Sequence, residues 1–488
     1  LIDIKEVTYI YNSSGNEGIK DINLKINKGE FVLLCGKSGC GKTTLTRLIN
    51  GLIPHFYKGE LKGDVTIGDM DILDTPMYKI AEKVGSVFQN PRSQFFNVDT
   101  NSEIAFGVEN LAYPPHEVIN RVNKTIYDLK IQNLMGKSIF KLSGGEKQKV
   151  AFASVYALSP DVYVLDEPSS NLDAYAIDEL RSILFLLKKQ GKTLVIAEHR
   201  LYYLKDIVDR IIYMEKGRIS KAYRMNEFLK ISREEKVKKG LRTMDLKNVK
   251  VGNKELINEK PIFEIKNLSL KYGKKTIRKN ININAAPGDI IGIIGNNGAG
   301  KSTLSKTICG LHKDYYGTFL WNGRKISSKE RLKLSYMVMQ DVNYQLFAET
   351  VEEECFLGCK NPNKERIEDT LKELSLYECR KRHPMSLSGG QKQRTAVAVS
   401  MLCSKKIIIF DEPTSGLDLD GMLRVGKLIK ELSRRQKIIF VVTHDYEFIM
   451  KICNRTLYFN DNRKGENFEI IEKPLEELKE IFIGEKTI

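Results

Sequence analysis

Two copies of one phosphate-binding pattern constrain this chain more than any other feature. Gly36-Lys37-Ser38-Gly39-Cys40-Gly41-Lys42-Thr43 fits G-x-x-x-x-G-K-[ST], and so does Gly295-Asn296-Asn297-Gly298-Ala299-Gly300-Lys301-Ser302. Leu-Ser-Gly-Gly follows each copy, at residues 142–145 and 387–390, and then an apolar run ends in Asp-Glu-Pro, at 166–168 and 411–413. A lone histidine comes next, His199 and His444. These last three landmarks keep one offset: 388 − 143, 411 − 166 and 444 − 199 all equal 245. Such spacing is the internal duplication of a whole domain. It overrides the roughly three domains that the chain's length alone would suggest.

Both halves open alike. Val7, Tyr9 and Tyr11 recur at every second position, as do Leu268, Leu270 and Tyr272, the period of a half-buried strand. Residues 31–35, 290–294, 162–165, 407–410, 194–197 and 438–442 are apolar throughout, which suits strands covered on both faces of a mostly parallel sheet. Helical stretches such as 178–187 alternate with them, so the fold class is α/β. Helices are expected to start near Thr43 and Ser302 and to end near Gly51 and Gly310. Between the phosphate loop and the Leu-Ser-Gly-Gly run the halves differ, 143 − 42 being 101 and 388 − 301 being 87. The extra 14 residues (101 − 87) fall in the least repetitive region, read as a helical lobe. The domains are then 1–221 and 261–488, with a short C-terminal appendage from about 462 and a basic linker over 222–260.

No apolar run approaches the roughly 18–20 residues that span a bilayer, and the opening Leu1-Ile2-Asp3-Ile4-Lys5 reads as a strand rather than a signal peptide. The eight cysteines form no C-x-x-C pair and read as reduced thiols. The formal net charge is +16, and residues 216–260 hold 14 Lys and Arg against 6 Asp and Glu. A solvated connector is the simpler reading of that stretch; a lipid or RNA surface is the alternative.

In a phosphate loop, glycines let backbone N–H groups wrap the anion, and the helix behind presents its positive end. Lys42 and Lys301 then reach the β- and γ-phosphates, while Thr43 and Ser302 put a hydroxyl on Mg²⁺. Gly36, Ser38, Gly39, Gly41 and Thr44 complete the first ATP-binding set; Gly295, Asn297, Gly298, Gly300 and Thr303 complete the second. Asp166 and Asp411 end strands where a carboxylate can hold Mg²⁺. Glu167 and Glu412 come next as the candidates for orienting the attacking water. Gln89 and Gln340 follow short apolar strands and can contact the metal and sense the γ-phosphate; His199 and His444 can bond the γ-phosphate and hold the water. Ser143-Gly144-Gly145 and Ser388-Gly389-Gly390 open helices, a second phosphate-ready terminus in each half.

The ordered set resembles the ATP-binding-cassette (ABC) ATPases over nearly the whole chain. That resemblance implies two nucleotide-binding domains in tandem, each a P-loop RecA-like core with a helical subdomain and an antiparallel β subdomain. It implies Mg²⁺ as the cofactor of ATP hydrolysis and a head-to-tail pairing of the two cassettes within one chain, one chain per transporter. Lys42, Gln89, Asp166, Glu167 and His199 would then face Ser388, Gly389 and Gly390. Lys301, Gln340, Asp411, Glu412 and His444 would face Ser143, Gly144 and Gly145. Tyr11 and Tyr272 match the position that stacks on adenine, and Ser170-Asn171-Leu172-Asp173 and Ser415-Gly416-Leu417-Asp418 the loop joining the sites. Both sites are expected to be competent. Two departures are Glu198-His199-Arg200 in place of the commoner Thr-His-Asp seen at 443–445, and Lys149 where Arg394 stands in the second half.

Within the family, Gln89-Asn90-Pro91-Arg92-Ser93-Gln94-Phe95-Phe96 followed by Glu103-Ile104-Ala105-Phe106-Gly107 resembles the pattern of energy-coupling factor (ECF) importers of vitamins and metals. Gln340-Asp341-Val342-Asn343-Tyr344-Gln345-Leu346-Phe347, then Glu352-Glu353-Glu354, is a weaker echo, and residues 198–201 also resemble the first half of tandem ECF ATPases. The resemblance implies an integral membrane transport subunit and a substrate-binding membrane subunit as partners, at the cytoplasmic face of the membrane, with no role for nucleic acid. The alternatives are a soluble ABC-F translation factor, whose linker is usually about twice as long, and the ATPase of another importer class.

Overall fold

The computed structural model describes residues 1–12, 18–170, 172–252, 259–273, 275–357, 359, 362–460 and 470–483. The chain forms two units, Leu1–Met244 and Asp245–Ile488. In the first, the strands are β1 (Ile2–Tyr11), β2 (Gly18–Ile26), β3 (Phe31–Gly36), β4 (Gly59–Ile67), β5 (Met70–Asp71), β6 (Val84–Val87), β7 (Val162–Asp166), β8 (Thr193–Ala197), β9 (Arg210–Glu215) and β10 (Arg218–Arg224). They build an antiparallel sheet, β2-β1-β4-β5, and a second sheet, β10-β9-β3-β8-β7-β6. The second is parallel except for β10, which closes its edge antiparallel to β9.

The second unit repeats this plan. Its strands are β11 (Phe263–Tyr272), β12 (Lys275–Ala285), β13 (Ile290–Gly295), β14 (Tyr315–Trp321), β15 (Arg324–Lys325), β16 (Ser335–Val338), β17 (Ile407–Asp411), β18 (Ile438–Val442), β19 (Arg455–Phe459) and β20 (Ile470–Glu472). The sheet orders are β12-β11-β14-β15 and β16-β17-β18-β13-β19-β20.

The apolar runs become central strands because both of their faces are covered. Successive side chains point to opposite faces of a sheet. Phe31, Leu33 and Cys35 of β3 accordingly join one core cluster, while Val32 and Leu34 join another. Tyr163 and Leu165 of β7 and Leu194 and Ile196 of β8 fall with the first set, against helices; Val162, Val164, Val195 and Ala197 fall with the second, against the antiparallel sheet. Each unit is thus layered around its parallel sheet. The extra length of the first half shows as longer helices in the lobe before the Leu-Ser-Gly-Gly run: Thr100–Asn110 and Pro115–Asp128, 11 and 14 residues, against Val351–Leu357 and Lys364–Glu373, 7 and 10.

The expected linker, 222–260, is not one continuous connector. Ala222 to Arg224 finish β10, paired with β9. Short helices follow at Met225–Lys230 and Arg233–Lys238. Phe228 is fully buried, and Tyr223, Leu241 and Met244 lie with it in the first unit's core. From Asp245 the chain belongs to the second unit, where Gly252 N–H donates to Met450 O at 2.8 Å. Residues 253–258 lie outside the described residues. Charge counts hid this because one Phe, one Leu and one Met suffice to dock the segment. Of the C-terminal appendage, 461–469 and 484–488 are likewise outside; the described part adds β20 beside β19 and buries Leu475 and Leu478. Among the described residues no helix is long and apolar enough to cross a membrane.

Truncating a fully buried phenylalanine costs about 3–5 kcal/mol. Phe228→Ala should therefore lower the unfolding free energy of the first unit by about that amount in chemical denaturation; an unchanged transition would mean that residues 225–244 do not pack as described.

Candidate functional site

The parallel register assembles the site. Ala197 at the end of β8 lies opposite both Leu34 of β3 and Asp166 of β7, and Val87 of β6 opposite Leu165. The first phosphate loop, Asp166-Glu167, Gln89 and His199 therefore leave the sheet along one edge, the carboxyl ends of its strands, where open α/β sheets bind ligands. In the second unit Val442 lies opposite Ile293 and Asp411, and Val338 opposite Phe410, so the same set meets at the same edge.

Gly36 and Gly295 end β3 and β13 at φ +148° and +146°. A Cβ there would come within 2.3 Å of Met214 O and 2.6 Å of Phe459 Cβ, so only glycine lets the chain turn away from the neighbouring strand. The helices Lys42–Ile49 and Lys301–Cys309 follow, with Gly51 and Gly310 in the left-handed conformation just beyond their ends. Lys42 Nζ donates to Gly36 O at 3.1 Å and Lys37 O at 3.2 Å; Lys301 Nζ donates to Gly295 O at 2.6 Å and Asn296 O at 2.8 Å. Both ammonium groups are folded back inside their own loops. Thr43 Oγ1 donates to Asp166 Oδ1 at 3.3 Å, and Ser302 Oγ to Asp411 Oδ2 at 3.2 Å. Burial raises both aspartates above the usual carboxylate range. A hydroxyl beside a desolvated carboxylate is a hard-oxygen pair that suits Mg²⁺, a cation that takes few protein ligands and completes its shell with phosphate and water.

Glu167 and Glu412 carry an unforeseen strain. Their φ values are +47° and +49°, left-handed for a residue with a Cβ. Such a conformation costs on the order of 1–3 kcal/mol and persists only where its surroundings fix it. Here the fixing bonds are Glu167 N–H to Ala197 O and Glu412 N–H to Val442 O, each 2.8 Å. The strain turns each carboxylate toward the histidine loop: His199 Nε2 is 3.5 Å from Glu167 Oε1, and His444 Nε2 is 3.5 Å from Glu412 Oε1. Gln89 Nε2 donates to Glu167 Oε2 at 2.7 Å. Burial pushes Glu167 up to about 8, with Lys42 opposing, Asp166 and Glu198 adding to the rise, and Arg242 opposing. Burial, then Lys42 and Arg242, hold His199 well below its usual value, so the imidazole is neutral at pH 7.

Around this shared frame the halves differ. In the second, Thr443 Oγ1 donates to Glu412 Oε2 at 3.2 Å, and Thr414 Oγ1 donates to Asp445 Oδ2 at 2.9 Å. In the first, Glu198 replaces the threonine and is buried. It accepts from His199 N at 2.7 Å, Arg200 N at 3.0 Å, Ser169 N at 3.3 Å and Tyr203 Oη at 2.8 Å. Arg200 replaces the aspartate and donates to Ser169 O and Leu172 O, both at 3.2 Å. The carboxylate stands before the histidine in one half and after it in the other, yet both versions tie the histidine loop to the residues after Asp-Glu-Pro. His444 Nε2 also lies 3.1 Å from Asn297 Oδ1 of its phosphate loop. Lys149 pairs with Glu179 at 2.5 Å. The roles of Glu198 and Arg200 went unread in the sequence because both sit in a motif judged by its histidine.

Ser143 and Ser388 cap the helices Gly144–Leu158 and Gly389–Leu402 with capping boxes through Glu146 and Gln391. A Cβ at Gly144 or Gly389 would meet nothing within 4 Å, so the backbone there is open to approach. These termini lie away from the phosphate loops in sequence, on the helical lobes. Tyr11 Oη donates to Thr44 Oγ1 at 3.3 Å, which sets the ring beside the phosphate-loop helix. The side chain of Tyr272 lies outside the described residues, as does Asn171. Gln340 is exposed after β16, as Gln89 is after β6.

A family profile described as ABC transporter matches residues 19–170 and 278–415. A protein of Treponema denticola named for ABC-transporter ATP binding is 48% identical over 95% of this chain and 96% of its own length; a second from that organism is 41% identical over 96% and 97%. Among solved structures, a ribosome-bound archaeal Pelota–ABCE1 assembly aligns at a TM-score of 0.71 and 21% identity, over 98% of this chain and 80% of the other. At that identity the likeness speaks for the fold alone.

Leaving a buried donor without its acceptor costs about 1–3 kcal/mol. Glu198 serves four donors and Thr443 fewer, so Glu198→Ala should depress the thermal midpoint more than Thr443→Ala. Equal shifts in calorimetry would mean that the Glu198 network does not hold the first site's loops.

Proposed function

The chain belongs to the ABC transporter ATP-binding family and is an ATPase, and on that premise we propose that it energises an ECF-type importer through two ATP sites. The reading is carried by a pair of loops. Phe96 and Phe347 are 75% and 78% exposed, and they occupy matching places in the two halves: 347 − 96, 345 − 94 and 354 − 103 all equal 251. Each loop is braced in the same way. Gln94 Oε1 accepts from Phe88 N at 3.3 Å, and its Nε2 donates to Ser86 O at 3.0 Å; Gln345 does the same with Met339 N at 2.7 Å and Met337 O at 2.6 Å. The buried carboxylate of Glu103 takes Phe96 N at 3.1 Å and Asn97 N at 2.8 Å; Glu354 takes Phe347 N at 2.7 Å and Ala348 N at 2.8 Å. Phe96 stacks on Phe106 with ring centroids 4.9 Å apart, yet the frame leaves most of its ring, and most of that of Phe347, in water. It suits a partner that buries the ring, and each buried ring contributes about 1.5–3 kcal/mol. In the ECF importers that residues 89–107 resemble, this region meets the membrane transport subunit.

The same loops follow Gln89 and Gln340 by a few residues, so nucleotide state and partner contact share one strand exit. In the chemistry we propose, Lys42 and Lys301 swing from their loop carbonyls onto the β- and γ-phosphates. Glu167 and Glu412 position a water in line, and His199 and His444 donate to the γ-phosphate and steady that water. Thr43 with Asp166, and Ser302 with Asp411, would hold Mg²⁺, aided by Gln89 and Gln340; when bound, the ion neutralises phosphate charge. Ser143 to Gly145 and Ser388 to Gly390 would cap the nucleotide of the opposite cassette, so that two ATPs favour the paired state through their higher affinity for it. The carriage of both cassettes on one chain keeps their effective concentration high. The chain would then act at the cytoplasmic face of the membrane.

Pull-down of the tagged chain in mild detergent tests this. A small polytopic membrane subunit should co-purify, and Phe96→Asp with Phe347→Asp should lose it while leaving the thermal midpoint unchanged. Ribosomal proteins and rRNA in its place would move the assignment to a translation factor.

A further inference from the structure

The two phosphate loops are braced from behind in different ways. Cys40 and Ala299 hold the same place in their loops, since 299 − 40, 295 − 36 and 301 − 42 all equal 259. Cys40 O accepts from Gly217 N–H at 3.1 Å, a backbone group in the turn between β9 and β10. Ala299 O accepts instead from a side chain, Arg278 Nε, at 2.8 Å. Arg278 Nη1 donates to Asn460 O at 3.3 Å, just past the end of β19, and the guanidinium carbon lies 5.6 Å from the centre of the Phe459 ring.

Strand register shows what this arginine replaces. Val7 pairs with Ile22 and Tyr9 with Ile19; in the second unit Leu268 pairs with Ile281 and Leu270 with Arg278. Ile19 and Arg278 therefore occupy one place in the duplicated sheet, and 278 − 19 is again 259. Both lie beneath the last glycine of their loop: a Cβ at Gly41 would stand 2.9 Å from Ile19 Cγ2, and one at Gly300 would stand 3.8 Å from Arg278 Cγ. Ile19 is fully buried, and Arg278 is 2% exposed. A cation put where an isoleucine packs costs desolvation free energy and gains nothing in packing. Its place is explained by what it holds.

We propose that Arg278 is a positioning residue of the second ATP site: it fixes the Ala299–Gly300 peptide of the phosphate loop and sets a permanent positive charge behind it, so that this loop holds nucleotide phosphates more tightly than it would with isoleucine there. A trans peptide is planar, with its C=O and N–H pointing opposite ways. With the C=O bound to Arg278, the Gly300 N–H is turned away from it, to the side on which a loop of this kind collects its anion. Arginine stays protonated in proteins, so the charge does not vary with pH. Its field acts on ADP and ATP alike, because the same loop wraps the phosphates of both. Arg278 works through the loop and not on the reacting atoms. The inference rests on the reading of residues 295–302 as an ATP site and is independent of the transported cargo.

The test is calorimetric titration of the full chain carrying Lys42→Ala, so that binding reports the second site, with Mg·ADP and with Mg·ATPγS. Arg278→Ile supplies the residue that the first half carries at this place, and exchange of a buried charge for an apolar side chain is often neutral or stabilising. The expected result is a thermal midpoint unchanged or raised, with affinity for both nucleotides weaker by about 10-fold. Arg278→Lys keeps the charge and should restore most of that loss. Unchanged affinity in Arg278→Ile overturns the proposal, and so does an Arg278→Lys chain no better than Arg278→Ile. A purely structural brace would lower the midpoint and the fraction of sites filled while leaving the affinity of the folded chain as it was, and that result also overturns it. Should Arg278→Ile fail to fold, Arg278→Gln, which keeps a donor for the carbonyl but drops the charge, is titrated in its place with the same two outcomes. If the Lys42→Ala chain binds no nucleotide before any change at Arg278, the site reading itself falls, and the proposal with it.

Discussion

The parallel register of β3, β8 and β7 is the constraint on which the rest of each unit depends. Ala197 stands opposite Leu34 on one side and Asp166 on the other, so three strands end level. Everything with chemistry in it is placed by that levelling: the loop after β3, the acidic pair after β7, the histidine after β8. Side chains alternate faces with a period of two, so a slip of one residue in any of these strands would exchange its two core faces and carry its site residue off the edge. The two buried clusters on either side of the sheet oppose such a slip, since each strand contributes apolar residues to both. Packing and the geometry of the candidate site are thus one problem with one solution, and the second unit solves it again with β13, β18 and β17.

Against that fixed frame, the details show what is free to vary. Both halves keep the glutamate in a left-handed turn and the histidine at 3.5 Å from it. The support beneath differs, a Glu198–Arg200 network in one and a Thr443–Asp445 pair in the other. The first is built from buried charges, which hold geometry firmly only while every hydrogen bond is made. The second uses neutral hydroxyls and one carboxylate. The geometry of the candidate site is therefore shared between the halves while its supports have diverged.

Much of this was legible in the sequence. The continuous apolar runs became the central parallel strands, the alternating runs became β1 and β11, and the glycine punctuation fell where the helices stop. Three things were not legible, each for a physical reason. The strain at Glu167 and Glu412 is set by bonds from Ala197 and Val442, far away in the chain, and no local pattern announces it. Residues 222–244 looked like a basic connector because Lys and Arg outnumber Asp and Glu there, whereas their placement depends on the few apolar side chains that dock. Gln94 and Glu103 were visible as motif letters, yet their work, bracing the loop that exposes Phe96, depends on backbone groups that a motif does not display.

The central claim is the proposal that each half supplies the phosphate loop, the metal-binding pair and the strained glutamate of one ATP site, with that glutamate acting on the water. The most direct measurement is made on the double variant Glu167→Gln, Glu412→Gln, comparing equilibrium binding of Mg·ATP with its steady-state turnover. Two ATP bound per chain, with turnover lowered by about 100-fold or more, is the expected result. Turnover at the level of the unaltered chain, or a single ATP per chain, would contradict it.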